Sequence, residues 1–219
     1  NGISTVPVGK PGGTSSQAYE IHQQILDTKD HGVPQSRPRW YCVGIRRDTF
    51  AAEKSTFEFP GEIICPPLDL FLDTFKHEPT LVTNLSETAQ ANIAEAKRKI
   101  LAAGADPDKK VFVIDCDAPR GSSTISSLFS PCITRSRAQG HWLTKLNRRM
   151  TKSEMFRLHG RNPATFKVDV SQQSLGQQLG NAMSINVLER ITRNALMAAG
   201  KLKAGTPDRW KNGEALKDI

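Results

Sequence analysis

The amino-acid sequence predicts a mixed α/β fold in which strands and helices are joined by long irregular segments. Two runs, Trp40–Ile45 and Lys110–Asp115, have the aromatic and β-branched composition of buried strands. Two other stretches, beginning near residues 86 and 182, carry apolar residues at helical spacing. The segments between them are rich in proline, glycine and serine, which interrupt both kinds of element. We therefore expect a small α/β unit with much irregular chain.

The first part of the chain predicts a pair of strands followed by an irregular segment. Residues 18–26 alternate loosely between apolar and polar side chains, and Asp30 to Gly32 then form a turn signal. The run Trp40–Ile45 follows, and charged residues 46–48 end it. From about residue 48 to residue 85 there is little periodicity, and prolines are frequent at positions 60, 66, 67 and 79. No regular element is expected there.

The middle of the chain predicts a helix, a strand and a long loop. Ser86 is a good N-cap, Ile93 and Ile100 belong to one apolar stripe, and Gly104 is placed to end the helix. After the strand at 110–115, residues 118–131 are polar and rich in glycine and serine. Loops of this length in a compact domain are usually functional or disordered.

The last third predicts two more helices. Thr151 and Glu154 have the spacing of a capping box, which would begin a short helix. A final helix should begin near Ala182, because Ile185, Leu188 and Ile191 follow at helical spacing. The tail beyond residue 200 is polar, so we expect it to be loose.

The positive charge of the chain is concentrated in one short segment. The net charge is +8, while residues 47–118 carry an excess of acids. The 29 residues from 133 to 161 hold eight basic side chains and a single acid, Glu154. A dense cationic surface favours a polyanion, because binding phosphates releases condensed counterions. A solvated basic face is the other interpretation of the charge alone.

Other site classes are disfavoured. The four cysteines are widely spaced, so the sequence predicts neither a structural zinc site nor a disulfide scaffold, and it favours a reducing, intracellular compartment. No apolar run approaches the roughly 20 residues that a membrane span requires. The first residues show no signal peptide, and the missing initiator methionine suggests that the chain is part of a longer protein.

One segment, GVPQSRPRWYCVGIR at residues 32–46, has the character of a binding site. Pro34 and Pro38 hold the residues before them in extended geometry. In an extended chain Gln35, Arg37 and Arg39 project from one face. Two aligned guanidinium groups suit a phosphate and a carbonyl oxygen, although arginines paired with acids would have the same pattern.

Two further motifs follow. Residues 149–160, RMTKSEMFRLHG, contain the capping box, and residues 177–188, QQLGNAMSINVL, place a Gly-Asn pair before an apolar helix pattern. Gly180 could permit a tight turn, and Asn181 could cap the helix or offer its amide to a ligand. A plain N-cap would be the simpler interpretation of Asn181 alone.

In this order and spacing, the three segments resemble motifs eight, nine and ten of the cytosine-C5 DNA methyltransferases. The resemblance implies the C-terminal portion of a Rossmann-like methyltransferase sheet plus a small irregular α+β target-recognition domain. It also implies S-adenosyl-L-methionine as cofactor and double-stranded DNA as partner. One departure stands out: the ninth motif of the family ends Gly-Phe-Pro, whereas this chain has Gly160-Arg161-Asn162-Pro163.

The resemblance assigns roles to individual residues. Arg39 would contact the O2 atom of the flipped cytosine, Arg37 would hold the DNA backbone and the active-site loop, and Gln35 belongs to the same catalytic motif. Asn181 and Ala182 would lie beside the cofactor. The residues expected to contact phosphates or base edges are Arg37, Arg135, Arg137, Lys145, Arg148 and Arg149.

The resemblance also divides the chain. It implies the end of a catalytic domain at residues 1–47, a target-recognition region at 48–165, a helix packing back on the catalytic domain at 166–200, and the tail at 201–219. Pro131-Cys132 is similar to the family's nucleophile motif, but it lacks the following glutamine and lies downstream of the Gln-x-Arg-x-Arg segment. We therefore expect the nucleophile in an N-terminal half outside this chain. The alternatives are a tRNA-methylating relative and a non-catalytic DNA-binding remnant.

Overall fold

The computed structural model describes residues 18–50, 56–74 and 85–219, and in these ranges the fold is mixed α/β, as predicted. The N-terminal 17 residues and parts of the irregular segment at 48–85 lie outside the described residues. The regular elements are β1 (Tyr19–Asp27), β2 (Pro38–Arg46), α1 (Glu87–Ala102), β3 (Val113–Ile114), β4 (Ile125–Ser126), β5 (Trp142–Leu143), β6 (Arg148–Arg149), α2 (Lys152–Arg157), α3 (Gln172–Asn181) and α4 (Ile185–Ala198).

Strands β1 and β2 form an antiparallel ribbon that is apolar on both faces. All nine residues of each strand are paired. One face buries Leu26, Tyr41 and Ile45 against Val187 and Ile191 of α4, because side chains alternate across a strand. The other face is exposed and presents the large apolar side chains of Tyr19, Ile21, Ile25 and Trp40.

The second sheet is short and antiparallel, with strand order β4-β3-β5-β6. Helix α1 begins as predicted, since Ser86 Oγ accepts a hydrogen bond from the backbone N–H of Ala89 at 3.2 Å. Its apolar stripe packs against Ile114 and Trp142 of the sheet. The predicted strand at 110–115 is regular only at Val113–Ile114, and just before it the N–H of Phe112 donates to the side chain of Thr144 at 2.9 Å.

The capping box of α2 is confirmed. Thr151 Oγ1 accepts from the N–H of Glu154 at 3.1 Å, and a Glu154 carboxylate oxygen accepts from the N–H of Thr151 at 2.7 Å. Met155, Phe156 and Leu158 then enter the largest core cluster. That cluster holds the 33–34 turn, the second sheet and α3 together, so the site described below rests on one packed core.

The C-terminal third differs from the prediction in two respects. The helix expected near Ala182 is α4, which begins three residues later at Ile185 with Ser184 as N-cap, and an additional helix that was not predicted, α3, precedes it and ends at Asn181. Asn181 is therefore not an N-cap. The tail is not loose, because Trp210 is only 5% exposed in the main core and donates its indole N–H to Glu189 at 3.0 Å. Trp210 anchors a largely polar segment together with Ala215, Leu216 and Ile219, which belong to or pack against the same core.

Two kinds of site are not found in the parts of the chain that the structure describes. No described helix is both long enough and apolar enough to cross a membrane. Within the same ranges, no group of three or more His, Cys, Asp or Glu side chains is arranged to hold a metal ion.

Candidate functional site

Arg37 is the centre of the candidate site. Its side chain is 1% exposed, and its guanidinium group donates to the carbonyl oxygens of Ile133 at 2.6 Å, Gly180 at 2.8 Å and Ala182 at 2.6 Å. These partners come from two distant segments of the chain, which Arg37 ties together. Burial lowers the pKa of this guanidinium, whose partners are neutral carbonyls and a thiol and not carboxylates. The structure therefore places a desolvated cation at the junction.

Arg39 lies beside Arg37 on the same side of the segment. One nitrogen of each guanidinium reaches the sulfur of Cys132, Arg37 Nη1 at 3.4 Å and Arg39 Nη2 at 3.6 Å. Arg39 is only half-buried, and its other terminal nitrogen bonds to the exposed carbonyl of Pro38 at 2.7 Å. Its guanidinium can therefore exchange these weak contacts for a ligand, which the enclosed Arg37 cannot do.

Gln35 is completely buried and works inside the protein. Its amide nitrogen donates to the carbonyl of Leu158 at 2.6 Å, and its amide oxygen accepts from the N–H of Ile133 at 3.2 Å. Both ends of the amide are thus used by backbone groups. The geometry assigns Gln35 a positioning role in place of the expected catalytic one, because it aligns α2 with the segment that carries Cys132.

Asn181 and Ala182 lie at the end of α3, next to the guanidinium group of Arg37. The carbonyls of Gly180 and Ala182, on either side of Asn181, are two of the three to which Arg37 donates, and the Asn181 side chain is exposed. Gly180 serves close packing rather than a turn, since a Cβ there would lie 2.3 Å from the backbone N of Arg135. A Cβ at Gly176 would lie 2.1 Å from the carbonyl oxygen of Ala138.

The five arginines and lysines predicted to contact DNA from the basic segment separate into three groups. Arg148 is fully buried and forms two charge-assisted hydrogen bonds with Glu154, at 2.9 and 2.7 Å. Its guanidinium is inside the protein, so a DNA contact for Arg148 is replaced by an architectural role. The sequence did not predict the burial of Arg148, although its partner Glu154 is the only acid in residues 133–161.

Arg137 and Arg149 are paired with acids that follow β3. Arg137 Nε donates to Asp115 at 2.6 Å, and Arg149 forms two bonds of 2.7 Å with Asp117. The hydrogen bond that Arg137 donates to the Asp115 carboxylate raises the pKa of Arg137. Each pair is only partly exposed, so these arginines are held in fixed orientations and part of their charge is neutralised.

Arg135 and Lys145 are exposed and complete the set. Arg135 begins the short 3₁₀ turn Arg135–Arg137, which lies directly on the glycine face of α3. The turn therefore has little freedom to move relative to Asn181. Arg135 therefore carries its exposed charge on a rigid support, next to the Gly180 backbone that Arg37 also contacts.

His159 shows how the guanidinium groups of the candidate site affect a neighbouring side chain. The ring is fully buried, with Nδ1 2.8 Å from the carbonyl oxygen of Met155. Burial lowers its pKa to about 4, and the nearby guanidinium groups of Arg37, Arg161 and Arg39 act in the same direction. His159 is therefore neutral at pH 7 and adds no charge to the site.

The chain as a whole is similar to a known family of proteins. The family model for C-5 cytosine-specific DNA methylase matches residues 14–196, which is most of the chain. The chain belongs to this family. The match includes the Gln-x-Arg-x-Arg segment, the capping box and the Gly-Asn pair, so the residues of the cluster are residues of the methylase domain.

Individual relatives agree with the family. The chain is 27% identical over 202 residues to the type II methyltransferase M.NgoBI of Neisseria gonorrhoeae, covering 90% of this chain and 58% of that protein. It is 26% identical over 182 residues to the type II methyltransferase M.HhaI of Haemophilus parahaemolyticus, covering 80% and 53%. The solved structure of S. pombe Dnmt2 methyltransferase superposes with a TM-score of 0.48 at 15% identity, covering 82% of this chain and 58% of that one. The chain thus spans little more than half the length of the curated relatives it matches.

Several residues of the candidate site were not predicted from the sequence. Asp115 and Asp117 orient the side chains of Arg137 and Arg149. The sequence did carry a signal for them, because two acids spaced two residues apart at the end of a strand project from the same face. Cys132 lies against both arginines, although sequence order argues against it as the nucleophile. Phe166 was also missed: the centre of its ring lies 4.9 Å from that of Phe156 on α2.

Proposed function

We propose that this chain is the base-positioning and target-recognition part of a DNA cytosine-C5 methyltransferase. The observation that carries the proposal is the partly exposed guanidinium of Arg39, held next to Arg37 and within one cluster with the Gly180–Ala182 turn. A base must leave the stack before its ring atoms can be reached, and a fixed donor then has to hold it. Arg39 can donate to the O2 atom of an extruded cytosine and stabilise negative charge that develops on the ring.

The residues at the α3 end fit the cofactor that the family implies. Asn181 is exposed, Ala182 lines a cavity of about 330 Å³, and the Nε atom of Arg161, which also lines it, is buried without a hydrogen-bond partner. S-adenosyl-L-methionine supplies the methyl group when it is bound. In the proposed site Asn181 and Ala182 hold it, Arg37 fixes their backbone, and Gln35 keeps the Cys132 segment in register.

The nucleophile and the acid that assists it are proposed to come from an N-terminal catalytic half. The exposed apolar face of the β1–β2 ribbon supports this partner, because Ile25 and Trp40 are 66% and 60% exposed there. Contiguous apolar surface of this kind usually marks an interface. The first and third proposed domains, 1–47 and 166–200, would form that interface, while 48–165 faces the DNA. An intracellular location, nuclear in a eukaryote, follows from the DNA substrate.

Methyl transfer tests this function directly. We expect the 219-residue chain alone to transfer no radioactive methyl group from S-adenosyl-L-methionine, and the same chain with its upstream coding region to methylate duplex DNA. A Cys132→Ser variant of the longer protein should keep its activity. Transfer to tRNA in place of DNA would select the tRNA-methylating alternative. Activity of the short chain that is lost with Cys132→Ser would make Cys132 the nucleophile.

DNA binding should depend on the two exposed cations of the basic segment. Exchanging both Arg135 and Lys145 for glutamine is expected to weaken binding to duplex DNA of any sequence. The slope of log K against log salt should fall by about 2, since each phosphate contact contributes roughly 0.9. Fluorescence anisotropy at several salt concentrations measures both effects. Lys109→Gln, at a lysine whose side chain is 85% exposed in the acidic part of the chain, is the control and should leave the slope unchanged.

A slope that stays the same in the double variant would mean that the basic segment does not face DNA. Binding that persists without methyl transfer in the longer protein would instead favour the non-catalytic remnant. The two measurements therefore separate recognition from catalysis.

A further inference from the structure

The cavity beside Ala182 has a composition that suits a small amphipathic ligand. Its volume is about 330 Å³, at the lower end of the range for ligand pockets. The walls come from α2, from the extended segment 166–170 and from the end of α3. Phe166, Val168 and Val170 alternate along that segment and are each about 40% exposed. Such half-open apolar side chains leave room for an apolar group against them.

Arg161 is the more enclosed of the two cationic side chains that line this cavity, the other being Lys167, and the structure gives it no acidic partner among the described residues. Its guanidinium carbon lies 5.6 Å from the centre of the Phe166 ring. Its Nε atom is buried without a partner, and its Nη2 atom reaches only the carbonyl of Met183, at 3.5 Å. The acid that lines the cavity, Asp169, is paired instead with Lys167 at 3.2 Å.

A partly buried cation without a counter-ion is unfavourable by itself, because it loses hydration and gains no ion pair. Burial accordingly lowers the pKa of Arg161. A carboxylate entering the cavity would restore the missing hydrogen bonds, since the flat guanidinium fork matches two carboxylate oxygens. The position is also the one at which this chain departs from the family pattern, with arginine in place of the aromatic residue.

We propose that Arg161 binds the carboxylate of the amino-acid end of S-adenosyl-L-methionine in the cavity bounded by Phe166 and Ala182. The inference rests on the proposed function, which places the cofactor at Asn181 and Ala182. It adds a contact that the aromatic residue of the family pattern cannot make. The apolar walls would cover the methylene groups, and the charge of Arg161 would select a ligand that carries the carboxylate.

A comparison of two ligands tests the assignment by isothermal titration calorimetry on the chain with its upstream half. S-adenosylhomocysteine retains the carboxylate, whereas 5′-methylthioadenosine lacks the whole amino-acid end. Arg161→Gln is expected to weaken binding of S-adenosylhomocysteine by about 10- to 100-fold, as for the loss of a charge-assisted hydrogen bond, and to leave 5′-methylthioadenosine unchanged. Arg161→Lys should retain part of the affinity. Lys109→Gln, at a lysine outside the cavity whose side chain is 85% exposed, is the control and should change neither constant.

The outcomes separate the two proposals. An equal loss for both ligands in Arg161→Gln would overturn the carboxylate contact and assign Arg161 to packing on Phe166. Unchanged affinity for S-adenosylhomocysteine would overturn it as well. If the unsubstituted protein bound neither ligand, the cofactor site at Asn181 and Ala182 would itself be refuted. A thermal melt of each variant verifies folding, and Arg161→Lys provides the comparison if the glutamine variant unfolds.

Discussion

Replacing Arg39 by alanine is expected to lower the methyl-transfer rate of the longer protein by about 100- to 1000-fold, the usual cost of removing one donor aimed at developing charge. DNA binding should largely survive, because Arg39 holds the base and not the phosphates. Its present contacts, with the Cys132 sulfur and the Pro38 carbonyl, are easily exchanged for a cytosine oxygen. Single-turnover kinetics at saturating DNA give the rate, and fluorescence anisotropy gives the affinity.

The matched control for this experiment is Arg46→Ala. Arg46 belongs to the same strand, but its side chain is 58% exposed and bonds to Asp48 at the far end of the ribbon. It should leave the rate unchanged. A rate for Arg39→Ala equal to that of the control would mean that Arg39 does not contact the base, and the proposed role of the Gln-x-Arg-x-Arg segment would have to be abandoned.

A change at Glu154 is expected to have the largest effect on stability. Glu154→Leu leaves the fully buried Arg148 without its carboxylate, and breaking a buried pair by removing one partner typically costs about 3–5 kcal/mol. The substitution also removes acceptors for the N–H groups of Thr151 and Asp73. The free energy of unfolding in urea, followed by far-UV circular dichroism, measures the loss.

The double variant Arg148→Met, Glu154→Leu should recover part of that loss, since apolar pairs often replace buried ion pairs at little cost. Glu95→Leu is the surface control: Glu95 pairs with Arg98 in solvent on α1, and exposed pairs contribute little. A loss for Glu154→Leu no larger than that of Glu95→Leu would show that the buried pair does not hold the segment.

Local physical chemistry made part of the fold predictable. The capping box at Thr151 and the N-cap at Ser86 depend on residues within one helical turn, so the sequence suffices to place both. The composition of Trp40–Ile45 likewise located β2. Two alternating positions of an extended segment share a face whatever surrounds them, which is why Arg37 and Arg39 were expected side by side.

Long-range contacts decided what the sequence left open. A count of charges cannot tell an exposed lysine from an arginine that meets an acid far along the chain, and so Arg137 and Arg149 were counted as free cations. Gln35 was expected to be catalytic because the sequence could not show that both ends of its amide are bonded to backbone groups, those of Leu158 and Ile133. The tail was expected to be loose because one tryptophan in a polar stretch gives no periodic signal.

The sequence by itself therefore determined the helix starts at Ser86 and Thr151, the principal strand, the order of the three motifs and the shared face of two arginines. The tertiary structure alone decided which of the basic residues stay exposed, which of them are inside, and that Arg161 lines a cavity with no counter-ion among the residues that the structure describes. The physical reason is one of range. Capping and strand alternation act over a few residues, whereas burial and ion pairing depend on neighbours that only folding brings within reach.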